Sequence, residues 1–100
     1  MLQENDPKLQ SWLARAQEKI NVYFAKYFPD SLSHKLSIQV GRHYIKIIED
    51  RSAFAFIDRT NGDVLKAASW KAPAKHARGN IFDKHNGLAL VDAHGPVCLR

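Results

Sequence analysis

Apolar residues recur at Leu9, Trp12, Leu13, Ala16, Ile20, Tyr23, Phe24 and Tyr27, in steps of three and four. That spacing gathers them on one side of an α-helix. Lys8, Gln10, Arg15, Glu18, Lys19 and Lys26 fill the other side. Asp6-Pro7 is a start signal: the aspartate accepts a free backbone N–H, and proline suits the first helical position. Pro29 is a stop. The pattern predicts an amphipathic helix over 7–28. Its aromatic residues are read as cover for a sheet, because a small domain needs large side chains to close its core.

From Leu36 the period becomes two. Leu36, Ile38 and Val40 alternate with Ser37 and Gln39, as in a half-buried strand. Gly41-Arg42 is read as a tight turn or a bulge, and "HYIKII" at 43–48 continues extended. "EDRS" at 49–52 is a turn and "AFAFID" at 53–58 a further strand. Asn61-Gly62 is a strong hairpin signal, with "VLKAASW" at 64–70 as the returning strand. A helix followed by neighbouring antiparallel strands predicts an α+β fold, the N-terminal helix packed on a small antiparallel β-meander. The strands fall within 35–70. Beyond Trp70 the alternation weakens. "PAKHAR" reads as a basic loop or short helical turn between Pro73 and Gly79, and "GLALV" at 87–91 and "PVCLR" at 96–100 as short C-terminal strands.

One hundred residues make a single domain, 1–100, able to bury about 60–65% of its unfolded surface. Hydrophobic residues at 45% and charged residues at 25% exclude a wholly disordered chain. Fifteen Lys and Arg against ten Asp and Glu give +5, and the excess is uneven. Residues 1–65 carry nine basic and eight acidic side chains; residues 66–100 carry six and two. A concentrated positive field favours phosphate-bearing partners. Cys98 is the one cysteine, so no internal disulfide forms, and the chain suits a reducing compartment. It is read as a packed strand residue. No apolar run approaches the ~20 residues that cross a bilayer, and the polar N-terminus lacks a signal-peptide core. These features predict a cytoplasmic protein without a membrane partner.

The basic segment 66–80 is the candidate site. Lys66, Lys71, Lys75 and Arg78 crowd around Trp70 and His76. A helical turn beginning at Pro73 would offer free N–H groups to an anion, with Lys75 and Arg78 on one face. Arginine grips phosphate oxygens with a planar fork, lysines act as mobile charges, and an indole stacks on a base. Gly79 permits a sharp turn or a close approach to a ligand. The segment contains no P-loop, helix-turn-helix or zinc-finger signature. The expected ligand is nucleic acid, or a nucleotide in an enclosed pocket, held without catalysis or cofactor.

"NGDVLKAASWKAPAKHARGNIFD", with the closing "GPVCLR", resembles a signature of small uncharacterised bacteriophage proteins. The resemblance covers roughly 53–83 and, loosely, the C-terminus. It implies a phage accessory role in a bacterial cytoplasm: nucleic-acid binding, blocking of a host defence, or sequestration of a signalling nucleotide. It implies no catalytic residue.

Two other classes remain open. His76, His85 and His94 recur every nine residues, and Asp83 and Asp92 each stand two before a histidine. A metal-dependent nuclease is the sharpest version of that pattern, but no close ligand pair such as His-Glu-x-x-His is present. His85-Asn86-Gly87 and Asp92-Ala93-His94-Gly95 also read as turns. The third class is a protein-interaction module that inhibits or recruits a host factor through a free sheet edge, or pairs with a second copy as a homodimer.

Overall fold

A computed structural model describes residues 2–30, 35–50, 52–89, 91–92 and 95–96. His34, His94 and Cys98, with residues 97–100 of the expected last strand, lie outside the described residues. The helix α1 spans Pro7–Tyr27, and five strands follow: β1 Leu36–Val40, β2 Tyr44–Glu49, β3 Ser52–Asp58, β4 Asp63–Ala67 and β5 Pro73–Asn80. They form one antiparallel sheet in sequential order β1-β2-β3-β4-β5. A short ladder, β6 Val91–Asp92 with β7 Gly95–Pro96, closes the described chain. The fold is α+β, with the N-terminal helix packed on the meander.

α1 begins as its sequence dictates. The Asp6 carboxylate accepts from the Lys8 N–H at 2.8 Å, and Pro7 occupies the first turn. Phe28 caps the far end, its N–H donating to the Phe24 carbonyl at 2.9 Å. Leu9, Trp12, Ala16 and Ile20 are wholly buried against Ile45, Ile47, Ala55, Ile57 and Val64 of the sheet. Phe54 meets Trp12 edge-on, with centroids 6.2 Å apart. A register shift between Ile47 and Ile48 inserts this extra residue, so Phe54 and Ala55 both join the helix-side core. Tyr27 and Phe28 stay exposed although the periodicity placed Tyr27 on the buried face. Ile20 is the last fully buried residue of the helix; Phe24 is only partly buried against the core, and Tyr27 packs on Tyr23.

The connections are short. Gly41-Arg42 lies in the β1–β2 hairpin, where the Gly41 N–H donates to the Tyr44 carbonyl at 2.9 Å. Asn61-Gly62 lies in the β3–β4 hairpin, with Gly62 at φ 82° and its N–H on the Asp58 carbonyl. Arg59 of that hairpin ties the edge together, donating through Nε to the Leu2 carbonyl and through Nη1 to the Gly41 carbonyl.

Three expectations are corrected. The segment after Pro73 is the edge strand β5, neither a loop nor a helical turn. A one-turn helix costs nucleation and buries little, whereas pairing with β4 gives the same backbone partners and completes the sheet. The anion-attracting helix end disappears with it. The strand expected over 64–70 stops at Ala67, where the chain folds back: the Ala68 and Ser69 N–H groups both donate to the Ala72 carbonyl. Residues 87–89 are turn rather than strand, because Asn86 and Gly87 adopt φ 53° and 74°.

Candidate nucleic-acid interface

Side chains alternate across a strand, so away from the bulges the register assigns paired residues to a face. Ile45, Ile57 and Val64 are cross-strand partners beneath α1. Their neighbours form a second row, away from the helix: Gln39 opposite Lys46, Lys46 opposite Phe56, Phe56 opposite Leu65, and Leu65 opposite Ala77. This row crosses all five strands and spans about 19 Å at the usual strand spacing.

The row has its own apolar centre. Phe56 and Leu65 are buried although they belong to the face without the helix. Tyr44 packs edge-on to Phe56 at 6.0 Å, and Lys46 Nζ lies 5.9 Å from the Phe56 centroid. The same Nζ sits 3.9 Å from the centroid of Trp70. Lys46 therefore lays its aliphatic stem across the patch and its ammonium against the indole. Trp70 stands in the turn between β4 and β5 and is 45% exposed. The folded-back backbone at Ala68, Ser69 and Ala72 brings the indole over the helix-free face.

The six residues expected to form a phosphate site are separated by the sheet. Trp70, Lys71, Lys75 and His76 are exposed on the turn and on β5. Lys66 faces the other way: it pairs with the core residue Ala55, and its Nζ donates to the Pro96 carbonyl at 3.3 Å. Arg78 is buried, with Nη1 donating to the His76 carbonyl. Val64 pairs with Gly79 and Leu65 with Ala77, so Arg78 is the extra residue of a bulge. Gly79 serves packing within the chain: a Cβ there would stand 3.0 Å from the Gly87 carbonyl oxygen. Lys46, Tyr44 and Phe56 were missed as site residues. Their signal was the alternation of Tyr44 and Lys46 with Ile45 and Ile47, which marks a second face with an aromatic and a cation on it.

The histidine and aspartate pattern resolves into turn architecture. The Asp83 carboxylate accepts from the N–H groups of His85 at 2.8 Å, Gly87 at 2.9 Å and Asn80 at 3.1 Å. The Gly87 bond foremost, then those of Asn80 and His85 and the His85 charge, hold its pKa below the ordinary 3.8 against a smaller desolvation cost. Among the described residues no group of three His, Cys, Asp or Glu side chains is placed to hold a metal. Asn86 is buried beside this turn. In the amide orientation that satisfies its neighbours, its oxygen accepts from the Trp12 backbone N–H at 2.9 Å and the Ser11 hydroxyl at 3.1 Å. Its nitrogen then donates to the Ile81 carbonyl at 2.6 Å and the Lys8 carbonyl at 3.2 Å, so one amide pins the turn to α1.

Fold and surface together define a small α+β domain whose sheet is sealed by a helix on one face and carries an aromatic–cation patch on the other. The chain belongs to a family of unknown function, DUF7717, which it matches over residues 3–97. No curated protein and no solved structure matches it. Among the described residues no helix is long and apolar enough to cross a membrane.

Proposed function

We propose that this chain is a non-catalytic binding protein that holds single-stranded nucleic acid across the helix-free face of its sheet. The observation that carries the reading is the Trp70 indole, half exposed with Lys46 Nζ at 3.9 Å on the sheet face of Phe56, and followed in the chain by the exposed lysines 71 and 75. An exposed indole supplies a stacking plane for any base, and flanking ammonium groups neutralise the backbone that carries it. The platform is about 19 Å wide, enough for several nucleotides of extended strand rather than one compact nucleotide. The +5 net charge favours the same polyanion. The resemblance to bacteriophage proteins supports an accessory role during infection, in the cytoplasm of a bacterial host.

The test is fluorescence anisotropy of a labelled single-stranded oligonucleotide titrated with the protein at low and moderate salt. Binding that weakens steeply with salt, and that a duplex of the same sequence competes for poorly, is the expected result. No binding at low salt removes the reading.

A further inference from the structure

A groove of about 810 Å³ runs between α1 and the turn at residues 84–89, on the helix side of the molecule and away from Trp70. Its rim is cationic. Arg15, Lys19 and Lys26 line it from the helix and Lys84 from the turn, and Glu18 is the one acid among the described lining residues. Val22, Tyr27 and Leu88 supply apolar lining beside these cations. Val22 is 62% exposed and Tyr27 57%, and both line the groove. The nucleic-acid reading uses none of these residues.

The shape and charge select the occupant. Arg15 and Lys26 are separated by about 16 Å along the helix axis, the length of three turns of a second helix lying alongside. The apolar lining fits leucine- or isoleucine-type side chains, and the four ammonium and guanidinium groups beside it fit carboxylates. A second copy of the chain in a two-fold pairing would bring the same cations face to face. A compact ligand needs most of its surface enclosed, which an open groove does not provide. We propose that the groove receives an acidic amphipathic helix of a partner protein, its aliphatic side chains over Val22 and Leu88 and its carboxylates against Lys19, Lys26 and Lys84.

The experiment uses the whole chain and fluorescein-labelled synthetic peptides of about 18 residues with helical periodicity. One carries leucines on one face and glutamates on the other; a second replaces glutamate by lysine; a third scrambles the acidic one. The acidic amphipathic peptide should bind about tenfold or more tightly than either control and release with salt. The double variant Lys19→Glu, Lys84→Glu should cost a further factor of about ten or more, and Val22→Asp a similar loss, with unchanged melting curves. Trp70→Ala should leave peptide binding as it was, which keeps this result separate from the nucleic-acid reading. Equal binding of the acidic and scrambled peptides, or none at about millimolar concentration, overturns the proposal. So does an oligonucleotide that displaces the peptide and itself loses affinity in Lys19→Glu, since the groove would then belong to nucleic acid.

Discussion

Lys46 and Trp70 meet on the helix-free face of the sheet, the ammonium of one 3.9 Å from the ring centroid of the other. One comes from the second strand and the other from the turn after the fourth. Strand pairing and the fold-back at Ala72 create the contact. A cation against an indole is worth roughly 0.5–1 kcal/mol where solvent reaches it. It holds the ring in place without covering it, because nearly half of Trp70 remains exposed.

Replacing Trp70 by alanine should therefore weaken oligonucleotide binding by roughly 5- to 150-fold, the range of 1–3 kcal/mol for one stacked base. The melting temperature should scarcely move. Acrylamide quenching supplies an independent check, because Trp12 is wholly buried and only Trp70 is accessible. Bound oligonucleotide should remove the quenchable fraction of the emission, and Lys46→Met should raise it in the free protein.

The basic segment divides into two classes of cation, which a salt titration separates. Lys71 and Lys75 are exposed, and alanine at either should lower the slope of log affinity against log salt by about 0.7 for a single strand. Arg78 is buried with its guanidinium on a carbonyl. Arg78→Ala should leave that slope intact and destabilise the fold by about 1–3 kcal/mol, read by urea denaturation. Equal loss of slope in all three variants would return Arg78 to the binding surface.

Asp83 links acid to the stability of its turn. Its folded pKa lies below the ordinary 3.8, chiefly through the Gly87 N–H. A carboxylate depressed in the folded state stabilises it above the unfolded pKa, and that contribution is lost as pH falls through the folded value. Asp83→Ala should thus be less stable than the parent at pH 7. The gap should narrow once the pH drops below 3.8. Denaturant melts at neutral and acid pH measure both.

Asn86 combines a left-handed backbone with a buried amide that bridges the turn and α1. Asn86→Ala loses both, and should cost about 1–3 kcal/mol. Asn86→Gly restores the backbone freedom but not the amide. If the bridge to Trp12, Ser11, Ile81 and Lys8 is what matters, glycine will recover only a small part of the loss.

Much of the fold was legible in the residues. Asp6-Pro7 and the spacing of Leu9, Trp12, Ala16 and Ile20 mark the helix and its buried stripe. Asn61-Gly62 and the alternation in 36–40 and 53–58 mark the hairpins. The exposed Tyr27 was not legible, since periodicity names a helix face without saying how far the sheet beneath it extends. Nor was β5. "PAKHARGN" has weak alternation of its own and is held extended by β4.

The candidate site was legible as a composition and not as a place. Caps, turns and periodicity act over a few residues, so α1 and the strands β1 to β4 could be read in order from the chain, whereas β5 could not. The sequence by itself also determined that the C-terminal third is basic. The tertiary structure alone decided that Lys66 and Arg78 turn inward, and that Lys46 takes the position beside Trp70. The reason is geometric: cross-strand register and single-residue bulges set which face a side chain occupies, and both come from pairing between segments distant in the chain.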